Sequence, residues 1–231
     1  MSKILFVMTG VDYWTLADGT KHPTGYWAEE FVVPFQALKA AGHEIVVATP
    51  GGVVPAVDKG SLAPEVNGGQ ETADQRAGVV ATSTELNNPI ALERAGLADY
   101  DAVFYPGGHG PMEDLAVDAT SGELLSATLD SGKPLAVVCH APAALLAATK
   151  ADGSNAFAGY ALTGFTNVEE TQAGFADKAK WLLQDRLVAI GADFREADPW
   201  APNVVVDRNL ITGQNPASSA GVADELLKKL S

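Results

Sequence analysis

At residues 135–145 the chain reads Leu135-Ala136-Val137-Val138-Cys139-His140-Ala141-Pro142-Ala143-Ala144-Leu145. The first four residues form an apolar run typical of a buried strand, and the small residues after Pro142 favour a helix. The pair Cys139-His140 therefore lies where a strand ends and a helix begins. Ligands of open α/β sheets bind at this edge, so we expect Cys139 to face a crevice.

A cysteine at such a turn has two interpretations. The N–H groups and the positive dipole end of the following helix would stabilise a thiolate, which makes Cys139 a candidate nucleophile. Alternatively, Cys139 is a buried structural residue, because free cysteine is among the most buried residue types. The adjacent His140 and the strand-to-helix turn favour the nucleophile. His140 in turn is either a proton carrier near a bound substrate or a hydrogen-bonded core histidine.

Strands and helices alternate along the rest of the chain. The patterns predict strands at residues 3–9, 44–48 and 101–105, another strand with its exit at 162–170, and a hairpin at 204–212. This alternation favours an α/β fold with a doubly wound, mainly parallel sheet. The length suits a single domain over residues 1–231, and no internal repeat is visible.

Several other segments carry weaker signals. We predict a helix over 28–41 that Pro34 kinks or restarts, and a helical stretch over 112–131. Residues 88–96 are expected to form a short helix, and 192–198 an edge strand.

Two long segments lack clear periodicity. Residues 10–27 are rich in turn formers and aromatic side chains, and residues 51–88 are rich in Gly, Pro, Asp and Asn. We expect both to act as cap or lid loops over the sheet edge, since long loops in compact domains commonly bind ligands. For 51–88 a solvated connector is the alternative.

Composition excludes several classes of function. The net charge is −14, which argues against nucleic acid and against anionic membrane surfaces as partners. A single cysteine permits no intramolecular disulfide, and the short apolar run at the N-terminus reads as a strand rather than a signal peptide. We therefore expect a cytoplasmic protein. The four histidines show no zinc-type spacing, so no metal site is predicted.

A glycine-rich exit follows the strand at 101–105. The sequence Pro106-Gly107-Gly108-His109-Gly110 lacks the spacing of dinucleotide and P-loop motifs, so it does not predict a nucleotide cofactor. Glycines let backbone N–H groups approach a reacting oxygen, which makes Gly107, Gly108 and His109 candidates for an oxyanion hole together with the N–H of His140. An ordinary turn is the alternative.

A thiolate nucleophile also needs a proton-carrying partner. A partly desolvated carboxylate near Cys139 would have a raised pKa and would serve as general acid and base. His140 is the next residue along the chain, so we expect it to approach the sulfur closely only if the turn is tight.

Five segments of the chain resemble the ThiJ/PfpI superfamily, and more narrowly its glyoxalase III branch, which includes heat-shock chaperone-like proteins. They are AVVCHAPAAL, FYPGGHG, TGYWAEEFVVPF, LTGFTNVEET and ITGQNPASS, and the match runs from residue 3 to about 230. The resemblance implies a flavodoxin-like, class I glutamine amidotransferase-like sandwich and a homodimer. It also implies a cofactor-free reaction that converts methylglyoxal to lactate through a hemithioacetal on Cys139.

The same resemblance assigns roles to residues. Cys139 is implied as the nucleophile, Glu30 as the carboxylate facing it, and Glu170 as the acid that orients His140. Each carboxylate has a neighbour of the same type, at positions 29 and 169, and the fit around Pro34 and Thr171 favours the second of each pair. The base that moves the carbon-bound proton is left open between His140 and Glu30.

The sequence also bears on several alternative functions. A glutamine amidotransferase or a cysteine peptidase of this design needs a histidine downstream of the nucleophile, and none follows His140. A protein or nucleotide deglycase would use the same residues on an aldehyde adduct. A holdase chaperone needs exposed apolar surface, for which the sequence offers residues 51–56, and a thiol-based redox sensor is a further alternative.

Overall fold

The computed structural model describes all 231 residues, Met1–Ser231, and its centre is a seven-stranded sheet. The strands are β1 (Lys3–Val7), β2 (Tyr13–Thr15), β3 (Lys21–Pro23), β4 (Glu44–Thr49), β5 (Ile90–Ala91), β6 (Ala102–Tyr105), β7 (Leu135–Val138), β8 (Ala161–Leu162), β9 (Asp193–Phe194), β10 (Val204–Asp207) and β11 (Leu210–Gly213). The order across the large sheet is β10-β11-β7-β6-β1-β4-β5, and only the β10–β11 hairpin is antiparallel. The predicted α/β class with a mainly parallel sheet is confirmed.

Helices flank this sheet. They are α1 (Ala28–Ala40), α2 (Gln70–Thr82), α3 (Thr84–Asn87), α4 (Gly110–Glu113), α5 (Ala119–Ser131), α6 (Asn167–Gln172), α7 (Leu183–Ala189) and α8 (Ser219–Leu230). Helices α1 and α8 pack against each other, and α5 packs against a 3₁₀-helix, Ala141–Ala147, that follows β7. No helix has the length and apolar character that a membrane crossing requires.

The central strands explain why the sheet forms in this order. All residues of β6 and β7 are buried, as are the last four residues of β1. Strands covered on both faces read as continuous apolar runs, which is the pattern of parallel sheets. Their carboxyl ends lie at one edge of the sheet, and the glycine-rich exit after β6 and Cys139 after β7 meet there.

The structure corrects four of the local predictions. Residues 51–88 are largely ordered into short 3₁₀-helices, α2 and α3 rather than a loop, and 88–96 form β5 and a 3₁₀-turn rather than a helix. Helix α1 continues without interruption through Pro34. The strand expected at 162–170 is only two residues long, and Glu170 lies on α6.

The remaining corrections concern small elements at the edges. The expected edge strand at 192–198 is reduced to β9, which pairs with β8 in a separate two-stranded sheet. The helical stretch over 112–131 is divided into α4 and α5. Short, weakly periodic segments take their structure from tertiary contacts, and these contacts are not visible in local sequence.

Candidate active site

Cys139 lies at the bottom of a cavity of about 710 Å³ at the carboxyl edge of the sheet. Its φ angle is 61°, a left-handed conformation that is uncommon for any residue other than glycine. Backbone hydrogen bonds fix this conformation, because Cys139 N–H donates to Gly213 and Phe165 N–H donates to the Cys139 carbonyl, both at 2.9 Å. Strained backbone held in place this way is a feature of functional sites.

Glu30 reaches the sulfur from α1. Its carboxyl group lies against the Cys139 thiol, and its Oε2 accepts a 2.8 Å hydrogen bond from Gly107 N–H. Complete burial raises the pKa of Glu30 well above its ordinary value. Burial, together with the adjacent Glu30, also raises the pKa of the Cys139 thiol. Both acids therefore hold their protons at rest, and Glu30 is placed to relay a proton from the thiol to a substrate oxygen when the sulfur attacks.

The protonated state of Cys139 differs from the thiolate that the sequence predicts. The helix after Cys139 is a seven-residue 3₁₀-helix, Ala141–Ala147, and Cys139 as a residue is only 3% exposed. A short helix contributes a small dipole, whereas burial disfavours the charged form of the sulfur directly. Cys139 therefore carries a thiol at rest, and any attack by its sulfur would need Glu30 to relay the proton away rather than a standing thiolate.

His140 contacts the sulfur despite being the next residue. Its Nδ1 lies 3.3 Å from Cys139 Sγ, because the left-handed turn at Cys139 brings the two side chains together. The other ring nitrogen, Nε2, lies 2.7 Å from Glu170 Oε2. The turn is thus tight enough for the close pairing that the sequence left conditional.

Glu170 holds two histidines at once. Its Oε1 is 2.9 Å from His109 Nε2, and its Oε2 contacts His140. Burial opposes ionisation of this carboxyl, but the two imidazoles outweigh it and lower the pKa of Glu170 far below its ordinary value. An ionised carboxylate only accepts hydrogen bonds, so each histidine carries its proton on Nε2 and leaves Nδ1 as an acceptor. For His140 this directs the acceptor nitrogen at the thiol.

The N–H groups of the glycine-rich exit after β6 have different partners. Gly107 N–H is bound to Glu30 and is not free for a substrate oxygen, contrary to the oxyanion role expected for it. Gly108 N–H faces the Cys139 sulfur, and His140 N–H has no partner within the chain. These two N–H groups are the candidates for stabilising an oxyanion on the carbon attached to the sulfur.

Gly108 provides a first testable prediction. Its φ is +97°, and a Cβ there would lie 2.5 Å from the carbonyl oxygen of Gly25 and 2.6 Å from the nitrogen of Trp27. Gly108→Ala should therefore lower the free energy of unfolding by about 3 kcal/mol, since backbone strain adds to overpacking. Gly132→Ala is the matched control, because Gly132 also has a positive φ but nothing lies within 4 Å of its Cβ position. Urea unfolding of both variants checks this, and equal losses would show that the close approach at Gly108 is unimportant.

The neighbouring carboxylates have other partners. Glu29 forms an ion pair with Arg76 at 3.0 Å, away from the sulfur. Glu169 completes a capping box with Thr166 at the start of α6 and accepts hydrogen bonds from Gln214 and Asn215. Glu30 and Glu170 are therefore the carboxylates that approach Cys139 and His140.

The cavity walls come from several segments. Residues of the 10–27 loop and of 56–60 border it, whereas 61–88 do not. Phe165, Phe175 and Trp200 also line it, and sequence analysis gave no signal for these three. The side chain of His109 was likewise missed, because only its backbone was considered; the adjacent glycines drew attention to N–H groups and away from the imidazole.

One group of side chains has the composition of a metal site. Donor atoms of His109, His140 and Glu170 all lie within 4.8 Å of one another. The same atoms hydrogen-bond to each other, and one of the histidines contacts the candidate nucleophile. A metal ion held here would compete with the arrangement that serves the sulfur.

Comparison with known proteins identifies relatives along nearly the whole chain. Residues 23–229 match the model of the DJ-1/PfpI family. A glutathione-independent glyoxalase, HSP31 of Saccharomyces cerevisiae, is 30% identical over 231 residues, covering 96% of this chain and 94% of that protein. A glutamine amidotransferase-like class 1 domain-containing protein 1 of Bos taurus is 33% identical over 205 residues, or 88% of this chain and 87% of that protein.

A third relative and a solved structure extend the comparison. The protein/nucleic acid deglycase HchA of Staphylococcus aureus is 26% identical over 222 residues, covering 94% of this chain and 76% of that protein. The crystal structure of glyoxalase III from Candida albicans superposes with a TM-score of 0.86 at 26% identity, covering 99% of this chain and 97% of that one.

Proposed function

The chain belongs to the DJ-1/PfpI family, and we propose that it is a glutathione-independent, cofactor-free glyoxalase of the glyoxalase III type. Its substrates are methylglyoxal and related 2-oxoaldehydes, and methylglyoxal yields lactate. One observation carries the proposal: Cys139 lies between Glu30 and the His140–Glu170 pair at the bottom of an accessible cavity. Relatives named as glyoxalases support it.

The first step is addition of the sulfur to the aldehyde. The Cys139 thiol attacks C1 of methylglyoxal and a C–S bond forms, while one carboxyl oxygen of Glu30 takes the thiol proton and the other oxygen releases the proton it held. The aldehyde oxygen takes that released proton, and the N–H groups of Gly108 and His140 stabilise the negative charge that develops on it. A single donor of this kind is typically worth about 3 kcal/mol of the barrier.

The second step is an internal redox reaction. A base removes the proton from C1 of the hemithioacetal, the C–H electron pair forms the C1–C2 double bond, and the C2 oxygen takes a proton to give an enediol. A proton then returns to C2 while the hydroxyl on C1 loses its proton and becomes the thioester carbonyl. The product is a thioester of lactate on Cys139, reached with no external oxidant or reductant. Water then cleaves the thioester, releasing lactate and restoring the thiol.

The experiment that tests this function measures lactate. Purified protein with methylglyoxal, in buffer free of glutathione and with a chelator present, should form lactate in proportion to the methylglyoxal consumed. Consumption without lactate would show that the protein only reacts with the aldehyde.

The carboxylate of Glu170 provides a separate prediction. Glu170→Gln keeps the shape of the side chain but removes the charge that fixes both histidines on their Nε2–H tautomers. We expect kcat to fall about 100-fold, the scale of a lost general acid–base contribution, with little change in KM. Glu169→Gln is a poor control because Glu169 completes the capping box with Thr166, so Glu29→Gln serves instead. Full activity in Glu170→Gln would show that orientation of His140 does not depend on this carboxylate.

A second candidate function is deglycation. The cavity of about 710 Å³ is much larger than a three-carbon aldehyde, and HchA, a named deglycase, aligns with 94% of this chain. The same nucleophile would act on an aldehyde adduct of an amine or thiol. Release of the free amine from a methylglyoxal-treated peptide, in an assay with methylglyoxal itself removed, distinguishes this activity from scavenging of the free aldehyde.

Three further expectations belong to this proposal. The reaction requires a reduced Cys139, which fits a reducing compartment such as the cytoplasm. A homodimer rests on the resemblance to the superfamily, and sedimentation equilibrium tests it. A holdase role would use the exposed Val53 and Val54 and would survive loss of Cys139, so suppression of aggregation by Cys139→Ala separates it from the enzyme.

A further inference from the structure

The proposed reaction needs a base that can reach the carbon-bound proton of the adduct. Glu30 is fully buried, binds Gly107 N–H and does not border the cavity. It is therefore positioned for the sulfur and the oxygen on C1 rather than for a proton directed into the cavity. His140 borders the cavity, but its two ring nitrogens face Cys139 Sγ and Glu170.

His109 has a ring nitrogen free in the same place. Its Nε2 is held by Glu170 at 2.9 Å, whereas its Nδ1 has no hydrogen-bond partner within the chain and is not among the buried unpartnered atoms. The residue borders the cavity, so Nδ1 is open to it. The His109 and His140 rings are 4.1 Å apart between centroids, which places His109 one ring away from the sulfur.

The surroundings keep this nitrogen unprotonated and in place. The ring stacks on Trp14 at 4.5 Å between centroids with nearly parallel planes, and it also packs against Phe175. Burial and the nearby His140 lower the pKa of His109. A neutral imidazole whose Nε2–H is bound to a carboxylate presents a bare lone pair on Nδ1, and the hydrogen bond to Glu170 opposes part of the fall in the pKa of His109.

We propose that His109 is the catalytic base of the isomerisation step, taking the proton from C1 at Nδ1 and returning it to C2. The inference rests on the proposed function. The C1–H electron pair becomes the C1–C2 double bond while the C2 carbonyl pair moves onto its oxygen. The imidazolium is stabilised by Glu170 until the proton is delivered to C2, and the hydroxyl on C1 loses its proton as the C2 oxygen gains one. Because His109 both removes the proton and returns it, its imidazole ends the cycle in the neutral state in which it began.

The test uses two glutamine variants in the full chain. His109→Gln keeps an N–H that can reach Glu170 but removes the titratable nitrogen. His43→Gln removes a histidine that lies outside the cavity, where its Nδ1 accepts a hydrogen bond from Ser2 N–H. We expect His109→Gln to lower kcat for lactate formation about 100-fold. Its kinetic isotope effect with methylglyoxal deuterated at C1 should exceed that of the parent, because proton removal becomes rate-limiting. His43→Gln should behave as the parent.

Two measurements separate catalysis from positioning. The rate of Cys139 alkylation by iodoacetamide should be the same in the parent and in His109→Gln, which shows that the nucleophile and the fold are intact. Lactate formation by His109→Gln at the parental rate, or an unchanged isotope effect, would overturn the assignment of His109 alone. Absence of lactate in the parent would overturn the proposed function and this assignment with it.

Discussion

Cys139→Ala should abolish lactate formation, with kcat falling by at least about 1,000-fold, because a covalent nucleophile cannot be replaced by its neighbours. The thiol is the single sulfur nucleophile of the cavity and the only cysteine of the chain. A steady-state assay of lactate in the absence of glutathione measures the loss.

The stability of this variant provides its control. Alanine fits the same space, adopts the same left-handed turn and removes only one buried atom, so the free energy of unfolding should change by about 1 kcal/mol. Urea unfolding checks that the fold is retained. Turnover of the folded variant at the parental rate would exclude the covalent route.

Glu30→Gln should have the second largest effect, lowering kcat by about 100- to 10,000-fold. The amide keeps a hydrogen-bond acceptor for Gly107 N–H, but it cannot take the thiol proton. Glu29→Gln is the matched control, since Glu29 lies one residue away on α1 and pairs with Arg76 instead of the site. The same lactate assay compares the three proteins, and equal losses in both variants would mean that helix charge, and not proton transfer, is responsible.

The same substitution should have a distinctive effect on stability. Below the unfolded pKa of a glutamate, about 4.3, Glu30 is protonated in both states and imposes no penalty. As the pH rises above it, the unfolded chain releases this proton while the folded chain, whose Glu30 pKa burial raises, retains it. The parent therefore loses stability relative to Glu30→Gln between about pH 4 and the folded pKa. Urea unfolding at pH 4 and pH 7 measures the free energy of unfolding of both proteins. The free energy of Glu30→Gln minus that of the parent should increase with pH, and a constant difference would contradict a raised pKa for Glu30.

The main strands could be predicted from the sequence because strands that are buried on both faces consist of continuous apolar runs. The apolar runs before Thr9, Pro106 and Cys139 end at one edge of a parallel sheet, and the predicted position of Cys139 at a strand-to-helix turn is confirmed. Short elements such as β8 and α6 could not be read, because two to six residues contain too little periodicity to outweigh tertiary contacts.

The detailed chemistry of the site depended on geometry that a linear sequence does not carry. The left-handed φ of Cys139 is what brings His140 to the sulfur, and it is fixed by hydrogen bonds from Phe165 and to Gly213. The sharing of Glu170 by two histidines joins residues 61 and 30 positions apart. Neither feature follows from spacing, so the side chain of His109 could not be assigned before the fold was known.

The most direct test of the account is to identify the sulfur adduct during turnover. Parent protein mixed with methylglyoxal and quenched with acid within the first turnover should carry one substrate-derived mass on the peptide that contains Cys139, appearing at least as fast as lactate and disappearing as substrate is exhausted. Lactate formed at the full rate with the Cys139 peptide unmodified throughout would contradict it.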